Sequence, residues 1–403
     1  MIRSRNFAKI TAADAIVRSA YQMGKTPLLP LYAASLGAGD AYLGLIVSIS
    51  TLTGMLTKPL FGVLSDRWGR RSWLIIGTAF FAFTPFAYHL VDTPGHLLII
   101  RLIHGISTAI YGPVTLAYVA EQSKSNRAER LAWFGTARNA GYIVGPLAAG
   151  WMLLTMDPVS VFTIVGIIST LAFVPILMLP VTDSKLGQRK TPFALDALRS
   201  LVSGGRTPAI WLAGGMESTM FLALYATKTF LPIYALSAGF NIADVGIFFA
   251  VQEGAHILLN PVGGRLGDRF GYLFAVPIGM VVLAISLPLL TIADNIPFLM
   301  ALAVLMGLAQ SIVFPSTVAL IASQMGDRNL ATGMGLVGTM KNAGKVAGPA
   351  MAGALITWVK YDWTFVIIGL LLFAGAVAFW QRSWTVNRRK RRSNFVPGAR
   401  RAV

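Results

Sequence analysis

Whole segments of this 403-residue chain recur about two hundred residues further on. Pro59-Leu60-Phe61-Gly62-Val63-Leu64-Ser65-Asp66-Arg67-Trp68-Gly69 returns as Pro261-Val262-Gly263-Gly264-Arg265-Leu266-Gly267-Asp268-Arg269-Phe270-Gly271. Gly135-Thr136-Ala137-Arg138-Asn139-Ala140-Gly141 returns as Gly338-Thr339-Met340-Lys341-Asn342-Ala343-Gly344, and Leu29-Pro30-Leu31-Tyr32 as Leu231-Pro232-Ile233-Tyr234. A chain that repeats its turns in order must build one structural unit twice. Both copies are embedded in apolar stretches of about 20 residues, each long enough to cross a ~30 Å hydrocarbon core. Only 12% of residues are charged and 55% are hydrophobic, whereas soluble domains carry about 25% charged residues.

These constraints predict an all-α membrane protein of twelve transmembrane helices in two pseudo-symmetric six-helix bundles. The expected spans are 11–36, 42–64, 72–90, 95–120, 130–155, 158–180, 209–236, 242–264, 272–291, 296–323, 330–357 and 361–382. Residues 1–180 form the first bundle, 181–208 a linker, and 209–403 the second bundle with a basic tail. Within the linker Phe193, Ala197, Leu198 and Leu201 share one helical face, which predicts a short helix in the membrane interface. The remaining loops are too short for a soluble catalytic or receptor domain. Two related bundles with a path between them are a common plan for secondary transporters, so a monomeric carrier is expected.

The net charge of +18 does not point to nucleic acid, because the bases are distributed by side. One set of loops and the tail holds Arg67, Arg70 and Arg71, then Lys124, Arg127 and Arg130, then Lys185, Arg189 and Lys190, and the run from Arg388 to Arg392. The opposite loops hold Asp40, Asp92, Asp157, Asp244, Asp294 and Asp362, with Lys360 as their base. The positive-inside rule then places both termini in the cytoplasm, in a multi-pass protein of a bacterial inner membrane. The basic tail suits anionic membrane lipid. The first apolar segment reads as a retained helix, since no cleavage site follows a short apolar core. The absence of cysteine excludes disulfides, thiolate metal sites and cysteine catalysis. With four histidines, no metal-ligand cluster and no Ser/His/Asp spacing, no enzyme and no cofactor is expected.

Four ordered motifs carry a family resemblance. The turn Gly62-Val63-Leu64-Ser65-Asp66-Arg67-Trp68-Gly69-Arg70-Arg71 resembles the signature loop of the major facilitator superfamily. Arg101-Leu102-Ile103-His104-Gly105 is similar to that superfamily's helix 4 motif. Gly141-x-x-x-Gly145-Pro146-x-x-x-Gly150 resembles the element of its drug/proton antiporters, and Pro27 with Pro30 a weaker one. The second half repeats the third motif as Gly344-x-x-x-Gly348-Pro349-x-x-x-Gly353. The resemblance implies a latch of Asp66 with Arg67, Arg70 and Arg71, completed by Glu121 and made in the outward-open state only. A weaker latch is implied at Asp268 and Arg269, where Tyr272-Leu273 replaces the basic pair. Gating would further use Gly62, Gly69, Gly141, Gly145, Pro146, Gly344, Gly348 and Pro349.

Charges at mid-membrane depth are costly unless they meet a cavity or a partner. The bases are Arg18, Lys25, Lys58, Arg101, Arg138, Lys228, Lys341 and Lys345; the acids are Asp14, Glu217 and Glu253. Lys58 lies near enough to a helix end to snorkel. Arg138 and Lys341 occupy equivalent positions, and Lys345 follows one turn later on the same face. They are expected to line one midplane cavity from both bundles, together with Arg18, Tyr21, Lys25, Tyr225 and Lys228. The alternative is internal pairing of these bases with the three acids. Asp14, Glu217 and Glu253, with Arg101 on the same route, are expected to handle protons, His256 to pack or relay. Phe248, Phe249 and Trp133 are further candidates for an amphipathic lining. The expected function is proton-coupled export of an organic anionic or zwitterionic amphiphile, with the proton gradient as energy source. Alternatives are uptake or exchange of a small organic anion, a lipid flippase, or a non-transporting receptor.

Overall fold

The computed structural model describes residues 2–122, 127–180, 208–324 and 327–393. The predicted interfacial helix at 193–201, and Lys124, Lys185, Arg189 and Lys190, lie outside the described residues. The first half consists of α1 (Ile2–Lys25), α2 (Leu28–Ser35), α3 (Asp40–Trp68), α4 (Arg70–Phe83), α5 (Pro94–Glu121), α6 (Arg127–Met152), α7 (Pro158–Thr170) and α8 (Phe173–Leu177). The second consists of α9 (Pro208–Ser237), α10 (Ile242–Phe270), α11 (Tyr272–Leu289), α12 (Ile296–Gln324) and α13 (Asp327–Ser393).

Among the described residues, twelve crossings result when broken helices are joined. The span expected at 11–36 starts earlier and breaks between α1 and α2 at Thr26 and Pro27. The span at 72–90 ends in a 3-10 turn, Thr84–Leu90, and that at 158–180 divides between α7 and α8. α13 contains two crossings joined at Lys360, whose φ of 63° reverses the chain. Among the described residues, nine helices meet a simple length-and-hydropathy criterion for crossing a membrane, one of them this double span. α1 and α6 are outside this set; α1 carries six charged residues, Asp14 and Arg18 among them, and α6 four, Arg138 among them.

Each repeated motif has a matching structural task in both halves. Gly69 (φ 88°, ψ 141°) and Gly271 (φ 92°, ψ 139°) make the same tight turn, in a region that a Cβ disfavours. Tyr32 donates its hydroxyl to the carbonyls of Tyr88 and Val91, at 3.3 and 3.2 Å. Its counterpart Tyr234 donates to the Thr291 carbonyl at 2.6 Å. Both satisfy backbone oxygens where the third helix of a bundle unwinds, which accounts for the repeated Leu-Pro-x-Tyr.

The Gly-Pro elements divide their work between bundle interior and bundle interface. Gly145 abuts Gln22 and Met23 of α1, where an added methyl would lie 2.7 Å from the Met23 nitrogen. Gly348 meets the Leu222 carbonyl of α9 in the same way. The following glycines cross to the other bundle: Gly150 contacts Gly246 of α10, and Gly353 contacts the Asp40 carbonyl of α3. Ser48 donates to the Val346 carbonyl at 2.7 Å, and Tyr361 to Asp40 at 2.7 Å. One apolar core joins both bundles over this outer half and contains Met23, Leu28, Ile46, Ala149, Val245 and Ile356. The bundles are thus sealed at the end bearing the acidic loops, and a cavity opens toward the end bearing the basic ones.

Candidate functional site

The cavity measures about 390 Å³ and is cut mainly into the second bundle. α9 supplies Glu217, Phe221, Tyr225 and Lys228; α10 supplies Glu253, His256 and Asn260; α13 supplies Lys341 and Lys345. From the first bundle α6 contributes Asn139 and Tyr142. Lys341 Nζ stands 3.9 Å from Glu217 Oε2, and Lys228 Nζ stands 3.5 Å from Glu253 Oε2. His256 Nδ1 lies 3.4 Å from Glu253 Oε1. Phe221 and Phe314 stack with centroids 4.7 Å apart. Lys341 and Lys345 approach the Phe221 ring at 4.8 and 4.7 Å, and Lys345 approaches Tyr225 at 5.2 Å. Three lysines therefore face two carboxylates, and the neighbours of Lys345 are aromatic faces, which attract a cation through the ring quadrupole.

The expectation that Arg18, Tyr21, Lys25 and Arg138 line this cavity is not met. Arg138 turns away to hold Asp14 with two bonds of 2.9 Å and donates to Thr115 Oγ1 at 3.0 Å. Asp14 is 1% exposed, and a bidentate guanidinium satisfies it almost completely. Arg18 stands at 4.0 Å from the same carboxylate. Tyr21 packs edge-on against Phe81 and His104 in the first bundle. Lys25 is buried beside Tyr21 and Tyr225 and borders a much smaller void with Gln22 and Lys228. Arg18, Tyr21, Lys25 and Arg138 are thus absent from the lining of the large cavity. Arg101 is buried and donates to Ser50. Phe248 and Phe249 belong to the packed core, while Trp133 is exposed.

The latch also differs from expectation. Arg70 bridges Asp66 and Glu121, at 3.0 Å from the latter, and donates to Ser65 at 2.6 Å. Arg71 reaches the Leu177 carbonyl at 2.8 Å, and Arg67 is exposed. These contacts lie within the first bundle and are intact while the basic side is open. They are therefore not confined to the opposite state. In the second copy Tyr272 takes the place of Arg70 and donates its hydroxyl to Asp268 at 2.7 Å, while Arg269 lies against Phe270.

One further pair of residues, Thr317 and Thr115, completes the two charged groups. Thr317 Oγ1 donates to Glu217 Oε1 at 2.6 Å, as the third member of an acid, base and threonine group. Its equivalent is Thr115 beside Asp14 and Arg138. The signal was present as Gly112-Pro113-Val114-Thr115 against Phe314-Pro315-Ser316-Thr317, a second-order repeat inside two apolar helices.

Comparison with known proteins agrees with this architecture. The chain is 26% identical to an uncharacterized MFS-type transporter of Methanocaldococcus jannaschii, over 82% of this chain and 86% of that one. It is 27% identical to the quinolone resistance protein NorA of Staphylococcus aureus, over 82% and 84%. The solved nucleoside transporter NupG superposes with a TM-score of 0.80 at 14% identity, covering 93% of this chain and 98% of that one. Drug-resistance transporters recur among the relatives, so the chain is a multi-pass membrane transporter with a small-molecule substrate. The family model for the Major Facilitator Superfamily matches residues 16–255 and 218–402, and the chain belongs to that superfamily.

Proposed function

We propose that this transporter exports a zwitterionic organic amphiphile in exchange for protons. The observation that carries the reading is the mixed charge of one wall. The Lys341–Glu217 pair is open to the cavity at 3.9 Å, and Lys345 one turn away is flanked by aromatic rings. By the positive-inside rule the open end faces the cytoplasm, so the cavity is placed to load from there in a bacterial inner membrane.

The sign of coupling follows from competition. A cationic group on the substrate competes with a proton for the Glu217 carboxylate, so binding expels the proton and the two move in opposite directions. A purely anionic substrate instead draws Lys341 away from Glu217, and the carboxylate then recruits a proton that travels with the substrate. Export by antiport therefore asks for a cationic group, while the surplus lysine asks for an anionic one. The stacked Phe221–Phe314 pair offers the apolar contact between them. Glu253, held by Lys228 and His256, serves as a second acid on the same route.

The test uses three ligands sharing one aryl ring: a carboxylate, a quaternary ammonium, and a compound carrying both. A ligand that binds the folded state raises the melting temperature by mass action. The zwitterion is expected to stabilise the detergent-purified protein most, with its carboxylate contribution lost in Lys345→Ala. Stabilisation by the ammonium compound alone, unchanged in Lys345→Ala, would overturn the reading. The surplus of lysine over acid also favours a second reading, uptake of an organic anion together with protons. Full stabilisation by the carboxylate alone, with proton uptake, would select it.

A further inference from the structure

The Thr317 hydroxyl has two acceptors within reach but one hydrogen to give. It stands 2.6 Å from Glu217 Oε1 and 3.0 Å from the Phe314 carbonyl, one turn back on its own helix. Its counterpart Thr115 is arranged differently. There the oxygen accepts from Arg138 at 3.0 Å, and the hydrogen has the carbonyls of Tyr111 (2.8 Å) and Gly112 (3.1 Å). The equivalent hydroxyl thus serves the base in the first bundle and the acid in the second.

We propose that Thr317 is a positioning residue that reads the protonation state of Glu217 by turning its hydroxyl. With Glu217 ionised, the carboxylate can only accept, and Thr317 donates to Oε1. When Oε1 takes a proton, that group becomes the donor, Thr317 Oγ1 accepts, and the threonine hydrogen passes to the Phe314 carbonyl. In both states Oε1 and the Thr317 hydroxyl keep their hydrogen bonds at the heavy-atom positions observed, so Glu217 gains or loses its proton on that side without repacking. An unpaired polar group here would otherwise cost a full desolvation penalty. What changes is the tie to Lys341, which the neutral acid releases, and the load on the carbonyl of Phe314, the ring that stacks on Phe221.

The surroundings of Glu217 leave this role to the threonine. α13 brings Lys341 and Lys345, and α10 brings Glu253 and His256. Its own helix carries Tyr225 and Lys228, while Tyr32 of α2 is engaged with the Tyr88 and Val91 carbonyls and Tyr272 of α11 with Asp268. α12 has no titratable residue along Ile296–Gln324 and offers Thr317 instead.

The inference rests on Glu217 being a proton site, and infrared difference spectroscopy between acid and alkaline pH separates the two ideas. The probe is the proton itself, in detergent-purified protein labelled with carbon-13 at phenylalanine carbonyls. The wild type is expected to show a Glu217 carboxyl band, absent in Glu217→Gln, and a labelled carbonyl that moves to lower frequency with protonation. That carbonyl shift should vanish in Thr317→Val, persist in Thr317→Ser and be unaffected by Thr115→Val. Thr317→Ala provides a second hydroxyl-free variant if the valine fails to fold. A titrating Glu217 band with a static phenylalanine carbonyl would overturn the threonine role alone. A spectrum unchanged by Glu217→Gln would overturn that role and the proton site together.

Discussion

Replacing Arg138 with methionine should cost far more stability than replacing Lys341 with methionine, although the two positions are equivalent by sequence. Arg138 makes a bidentate pair with Asp14 at 2.9 Å, and Asp14 is 1% exposed. Removing Arg138 leaves this buried carboxylate only Arg18 at 4.0 Å, which does not replace the two lost bonds, at roughly 3–5 kcal/mol. Lys341 is 37% exposed and 3.9 Å from Glu217, which is 5% exposed but keeps its bond from Thr317 when the lysine is removed. With the ammonium end hydrated and the carboxylate still hydrogen-bonded, solvent screening should hold the loss to about 1 kcal/mol. The expected gap between the variants is thus about 2–4 kcal/mol. Unfolding in nonionic detergent, by heat and by denaturant at matched rates, ranks them. Adding Asp14→Asn to Arg138→Met should recover much of the loss, because the stranded charge is removed. Equal costs for the two single variants, or no recovery in the double variant, would refute the assignment of a static pair to one half and a working pair to the other.

Three further outcomes follow from the seals and the loops. Tyr361→Phe removes the bond to Asp40 at 2.7 Å across the bundles, and a loss of about 1 kcal/mol should raise the population open on the acidic side about fivefold. Gly353→Val, whose added carbon would stand 3.1 Å from Ala41 Cα, should do the same. Because the chain has no native cysteine, maleimide labelling of Val47→Cys reports either change directly. Arg70→Gln should lower the melting temperature only slightly, since Asp66 and Glu121 are 54% and 38% exposed and such pairs are worth about 0–1 kcal/mol. Asp157 caps α7 by accepting from the Ser160 backbone N–H at 3.0 Å and from its hydroxyl, which holds its carboxyl below the usual range. A depressed carboxyl stabilises the fold above its unfolded value and loses that effect as pH falls through its folded value. Asp157→Ala should therefore increase limited proteolysis of this loop at neutral pH and make no difference in strong acid.

The sequence made the duplicated architecture legible because turns, glycines and apolar run lengths are local properties. The equivalence of Arg138 with Lys341 was legible for the same reason. Which of these groups meet each other was not, since that depends on how two helices are rotated about their axes. Asp14 and Arg138 are 124 residues apart, and only packing of Gly141 and Gly145 against α1 turns them together. A threonine in an apolar helix ordinarily bonds its own backbone, and with the Phe314 carbonyl 3.0 Å away nothing in the sequence around Thr317 points to Glu217. The second bond to Glu217 exists only in three dimensions.

The central claim is that a substrate cation and a proton compete for Glu217 while Lys345 holds the substrate anion. Proton exchange on binding tests it most directly, followed with a pH-indicator dye in weakly buffered detergent solution as the quaternary-ammonium aryl carboxylate is added. Neither charge of that probe exchanges protons near neutrality, so any signal comes from the protein. Proton release that disappears in Glu217→Gln is the predicted result. Binding with no proton exchange, or release that is unchanged in Glu217→Gln, would contradict it.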